Sequence, residues 1–146
     1  MRWKIMRKIN ELYLVVIGCG KVGGNVASIA SSIGHSVVVI DKEENSFENL
    51  SPDFTGFTIV GDATEKEVLE NAKVNKADYV LVLTQDDNTN FLISLMCKYY
   101  FGAKRIITRV YDPDNTTLFQ EFDIEVISPT LLIIGELKQI LVGDLK

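Results

Sequence analysis

Apolar residues in this chain gather into short unbroken blocks, at about 12–17, 36–40, 56–60, 78–83, 105–109 and 124–127, each rich in Val, Ile and Leu. Strands with one wet face would alternate, so continuous blocks of this length predict strands covered on both faces of a parallel sheet. Helical stretches fill the intervals and follow the last block, which predicts six helices. The punctuation agrees with that division. Gly34 and Gly102 stand where helix ends need a left-handed residue. Thr64-Glu65-Lys66-Glu67 reads as a capping box, and Asp112-Pro113 and Ser128-Pro129 each set a capping side chain before a proline. Two helical stretches, Phe91 to Phe101 and Leu131 to Val142, are apolar nearly all round. A helix lying on a sheet needs one apolar stripe, so the excess predicts that the protein is an oligomer.

The first block runs into Gly18-Cys19-Gly20-Lys21-Val22-Gly23, and the second ends at Asp41. The first glycine permits a tight turn, the second lets backbone approach a pyrophosphate, and the third lets the helix pack closely on its strand. Phosphate then meets free N–H groups at a helix N-terminus. Asp41 is placed to accept hydrogen bonds from a ribose diol and to repel a 2′-phosphate, which favours NAD or a plain adenine nucleotide over NADP. The expected fold is α/β: a Rossmann-type, doubly wound, six-stranded parallel sheet of order 3-2-1-4-5-6, helices on both faces.

Ligands of such sheets sit outside the carboxyl ends of the strands. Besides Gly18 to Gly23 and Asp41, the expected cofactor-binding residues are therefore Lys42, Asp62, Ala63, Thr84, Gln85 and Asn90. Lys21, in the first helical turn, is expected to face the phosphates. Asp62 and Ala63 would border an adenine, Thr84 would close the fourth strand against phosphates or a second ribose, and Asn90 would orient the loop after it. Asp86 and Asp87 precede a helix, where aspartate caps free N–H groups more readily than it serves as an acid–base or metal pair. Arg109 ends the fifth strand, too far along the sheet for an ordinary nucleotide contact. A subunit or loop contact, or a structural salt bridge, is expected of it. Cys19 is expected to be read through its backbone.

With 146 residues, 47% hydrophobic and 24% charged, the chain suits one domain over 11–146 behind a basic arm, 1–10, that carries Arg2, Lys4, Arg7 and Lys8. A net charge of -5 argues against a nucleic-acid partner, and no apolar run reaches the ~20 residues of a membrane span. Cys19 and Cys97 offer neither metal spacing nor a disulfide framework. The single histidine, His35, precedes the second strand, at the end of the sheet away from the crevice, so an unaided enzyme lacks an evident acid or base.

The chain resembles the TrkA N-terminal, or RCK (KTN), domains, cytosolic nucleotide-binding regulators of potassium channels and transporters. The likeness rests on Gly18-x-Gly20-Lys21-x-Gly23, Val39-Ile40-Asp41, Gly61-Asp62-Ala63-Thr64, Thr84-x-Asp86-Asp87-x-x-Asn90 and Ile107-Thr108-Arg109-Val110, and covers about residues 12 to 140. It implies a binding module without catalysis. That module would hold NAD(H), ATP, ADP or AMP and form homo- or hetero-oligomers, dimers building a ring against a membrane potassium transporter or channel subunit. It would lie in the cytoplasm, peripheral to the membrane. Lys21 stands where the family often has arginine. No second, C-terminal lobe is expected within the chain, which leaves room for a companion subunit that carries one. Two other readings stay open: an NAD-dependent oxidoreductase domain, and a nucleotide sensor for another protein.

Overall fold

A computed structural model describes residues 10–144. Its six strands are β1 (Tyr13–Ile17), β2 (Ser36–Asp41), β3 (Phe57–Val60), β4 (Tyr79–Val82), β5 (Ile106–Arg109) and β6 (Glu125–Ile127). All pairs are parallel and the order is β3-β2-β1-β4-β5-β6, the doubly wound arrangement expected from the sequence. Val15, Val16, Val39, Ile40, Val80 and Val82 are fully buried, which is why the central strands are unbroken apolar blocks. The expected basic arm lies almost wholly outside the described residues.

The helices are α1 (Lys21–Ser32), α2 (Lys66–Asn71), α3 (Asp87–Leu95), α4 (Thr116–Glu121) and α5 (Pro129–Asp144). Between β2 and β3 the chain forms a 3-10 turn, Glu44–Asn49, in place of the expected sixth helix. Ser and Asn interrupt that segment and Pro52 follows it, a composition that favours turns over a sustained helix. α3 runs on into a π-helical turn, Met96–Tyr100. Gly34 and Gly102 both take positive φ, as helix ends require.

Two helix starts follow expectation. Asp112 accepts from the Asp114 N–H at the head of a 3-10 turn leading to α4, and Ser128 accepts from the Leu131 N–H at the head of α5. The capping box at Thr64 does not form. Asp62, two residues upstream, accepts from both the N–H and the hydroxyl of Thr64 in an Asx turn, and α2 starts one residue later than a Thr64 cap would set, with Glu65 at its N-cap.

Side chains on one sheet face, including Val15, Ile17, Val80 and Val82, pack with Leu69, Ile93, Cys97 and Phe119 from the helical layer. On the other face, Leu14, Val16, Val37 and Val39 meet Ala27 and Ala30 of α1. Gly23 allows this close approach: a Cβ there would lie 1.9 Å from the Gly18 carbonyl oxygen. These layers leave the carboxyl ends of β1, β2 and β4 open at one edge of the sheet.

Candidate functional site

At that edge lies a cavity of about 380 Å³. Gly18, Gly20, Asp41, Lys42, Asp62, Ala63, Thr84 and Gln85 line it, drawn from the tips of β1 to β4. Gly18 has φ +98°, and a Cβ there would lie 2.7 Å from the Leu83 carbonyl oxygen, so the turn can hug β4 only as glycine. Gly20 differs: a Cβ on it would meet nothing within 4 Å. The backbone at Gly20 therefore faces open space, and no side chain caps α1 there. Its first-turn N–H groups remain available to an anion.

Asp41 braces this turn. One carboxylate oxygen accepts from the Cys19 N–H at 2.7 Å and the other from the Glu43 N–H at 2.8 Å. Each oxygen has a second lone pair, so the carboxylate keeps capacity for a diol. The Cys19 side chain turns into the core instead of the cavity, and burial, with the Asp41 charge beside it, raises its thiol to about 11. It is held as the thiol, inert as a nucleophile. Asn49 donates to the Cys19 carbonyl and ties the 3-10 turn to the glycine turn.

Across the cavity, buried Asn90 organises the β4 tip. Its amide oxygen accepts from the Thr84 N–H and hydroxyl, and its amide nitrogen donates to the carbonyls of Thr84 and Arg109. Asp86 caps α3 through the Thr89 N–H and hydroxyl, and those bonds hold its carboxyl below the ordinary range. Asp87, expected to cap as well, reaches across to the β5 loop. It accepts from the N–H groups of Tyr111 and Asp112 and from the Asn115 amide. Burial pushes its carboxyl up, but these bonds outweigh that and leave it lowered. Asp62 is lowered chiefly by the Thr64 hydroxyl and N–H.

Not every residue named from the sequence reaches the cavity. Lys21 and Val22 are exposed outside its lining, Gly23 serves helix packing, and Asn90 acts from behind the wall. Glu43, Ser46, Asp86, Thr89 and Arg109 line it without having been named for it. Arg109 is the substantive correction. Its backbone stands on β5 as expected, but its long side chain folds back over β4, donating to the carbonyls of Leu83 at 2.5 Å and Thr84 at 3.2 Å. That fold brings the guanidinium into the cavity wall. It makes the expected loop contact, and it also lines the cavity, which strand position alone did not indicate. His35 accepts from the Leu12 N–H at the far end of the sheet. No cluster of metal-ligating side chains occurs among the described residues.

The glycine turn, the braced acid and the open sheet edge now have a counterpart among known proteins, for the TrkA-N domain family matches residues 14–129. The chain belongs to the TrkA-N domain family. It is 34% identical over 125 residues to the Trk system potassium uptake protein TrkA homolog of Pyrococcus abyssi, covering 81% of this chain and 55% of that protein. Thus the chain spans about half the length of the curated relatives it matches. Among solved structures, the TrkA-N domain of the inner membrane protein ybaL from Escherichia coli superposes with a TM-score of 0.79 at 16% identity, over 90% of this chain and 98% of that one. The GsuK channel bound to NAD superposes at 0.77 and 23% identity, over 98% of this chain and 25% of the channel. At those identities the superpositions carry the fold alone. No described helix is long and apolar enough to cross a membrane.

Proposed function

We propose that this TrkA-N domain is a regulatory nucleotide-binding module of a potassium uptake or channel system. The observation that carries the reading is the cavity at the open ends of β1, β2 and β4, where an uncapped helix start, an open Gly20 and Asp41 lie together. An adenosine with at least one phosphate fits this donor set: N–H groups of the first turn of α1 for phosphate, Asp41 for the ribose diol, and Asp62 and Ala63 beside the base. NAD(H), ATP, ADP and AMP share that part. The relatives' names, and the NAD on a channel of the same fold, support the transport setting.

Regulation needs a ligand that distinguishes two states of an assembly. α5 supplies an assembly surface. Its Leu131, Leu132, Ile133, Ile134, Leu137, Ile140, Leu141 and Val142 are each 46% to 65% exposed. Such a helix is stable in water only when another apolar face covers it. A second copy of this chain is the partner of choice, forming a dimer on which a larger ring, or a companion subunit with a further lobe, is built at the cytosolic side of a membrane transporter. A binding role suits the same cavity, because the Asp41 and Asp86 carboxylates are engaged by backbone N–H groups and the Cys19 thiol is inert.

Native mass spectrometry with NAD, NADH, ATP, ADP and AMP added separately tests both halves. The expected result is an adenine nucleotide on a dimer or larger species whose assembly state depends on the nucleotide. A monomer that takes up none of the five would overturn the proposal.

A further inference from the structure

A second cavity, of about 590 Å³, lies at the opposite, amino ends of β1, β2 and β3, between the last turn of α1 and the end of α2. Its apolar lining comes from Tyr13, Val37, Val38, Phe57 and Ile59. Most polar side chains around it are already engaged. The Tyr13 hydroxyl donates to the Ala72 carbonyl, His35 Nδ1 accepts from the Leu12 N–H, the Ser36 hydroxyl donates to Glu11, and the Ser31 hydroxyl accepts from the Thr55 N–H. A polar small molecule finds few free groups there, whereas an apolar side chain finds a surface to cover. The outer rim asks for the same thing. β3 is an edge strand whose four residues include no charge and no proline, and Phe57 stands 74% exposed on it. Edges of that composition are ordinarily covered by a further segment.

The chain enters at this end of the sheet. Asn10 and Glu11 lead into β1, and Glu11 itself lines the cavity. Residues 1–9 precede them and set Trp3, Ile5, Met6 and Ile9 among four bases. Seven residues separate Trp3 from Asn10, a reach of up to about 23 Å at about 3.3 Å per residue. β3 stands two strands from β1, only about 10 Å away. We propose that residues 1–9 fold back across the amino ends of the strands and seat Trp3 in this cavity against Phe57. An indole suits the place because it brings a large apolar area and a single N–H. Glu11 bonds Ser36 through Oε1, which leaves its second carboxylate oxygen to accept that N–H. Arg2, Lys4, Arg7 and Lys8 are thereby gathered at the end of the sheet opposite the Asp41 cavity.

Trp3 is the chain's only tryptophan, so fluorescence of the full chain tests the proposal. Its emission is expected to be blue-shifted and shielded from acrylamide. Phe57→Asp, a change at an exposed position, is expected to move the emission to that of the urea-unfolded chain and to raise quenching severalfold, with the far-UV circular dichroism unchanged. The pair Trp3→Cys and Thr55→Cys is expected to close an intrachain disulfide under mild oxidation, the native Cys19 and Cys97 being buried. Wild-type emission like that of the unfolded chain would overturn the proposal, as would a blue shift that Phe57→Asp leaves untouched. Absence of the intrachain disulfide would overturn it too, and a crosslink joining two chains would assign the cavity to the arm of a second copy instead.

Discussion

α1 and α5 each follow a strand of the same sheet, and they treat burial in opposite ways. α1 turns Gly23, Gly24, Ala27 and Ala30 to the sheet, small residues that let its axis come close, and its start becomes one wall of the cavity. α5 buries none of its large apolar side chains within the chain. Close packing at Gly23, where a Cβ would lie 1.9 Å from the Gly18 carbonyl oxygen, leaves the glycine turn little room to shift. The bare surface of α5 suits an element whose neighbour is another molecule. The cavity edge is thus tightly packed and the α5 face exposed.

Glycine-to-alanine changes separate the two helices most sharply. Gly23→Ala is expected to cost about 3 kcal/mol in urea unfolding, because the new Cβ meets backbone that has no room to yield. Gly135→Ala, in α5 where a Cβ meets nothing within 4 Å, is expected to add about 1 kcal/mol through helix propensity. Equal effects of the same sign would erase the distinction.

Asp87 tests the wall opposite α1. Asp87→Asn should cost about 1 kcal/mol, at the low end for charged hydrogen bonds because the group is only partly buried. Its carboxyl is lowered in the folded protein, so its stabilisation is present above the ordinary aspartate value of about 3.9 and is lost as pH falls through the folded value. Urea midpoints of wild type and Asp87→Asn should therefore converge below about pH 4. The smallest effect on the isolated fold comes from charging α5. Leu137→Lys with Ile140→Glu should shift unfolding by less than about 0.5 kcal/mol and yet move the sedimentation profile from oligomer to monomer. An unchanged profile would place the assembly surface elsewhere.

The central strands were legible because burial on both faces writes itself as unbroken Val and Ile blocks, as in Val37 to Ile40, whereas the edge strands β3 and β6 are apolar blocks that stand largely exposed, Phe57 at 74% and Ile127 at 49%. Gly18 and Gly23 were legible because each meets a backbone requirement tied to spacing, and Asp41 because it closes the second apolar block. Competition between neighbours was harder to read. Asp62 holds Thr64 in an Asx turn where a capping box was expected, and the Glu44–Asn49 segment settles into a 3-10 turn whose Asn49 then serves the glycine turn. Arg109 was misplaced for a different reason. Strand order fixes a Cα, while a long side chain reaches across the adjacent strand, and only the Leu83 and Thr84 carbonyls disclose where it goes. For α5 the excess of apolar residues was legible, and in the structure those side chains stand exposed.

Calorimetry of AMP binding to wild type and Asp41→Ala probes the proposed ribose contact of Asp41. The expected result is measurable AMP binding by wild type and a loss of about 1–3 kcal/mol in the variant, as charged hydrogen bonds to the ribose disappear. AMP binding of equal strength in both proteins, or none in wild type, would contradict it.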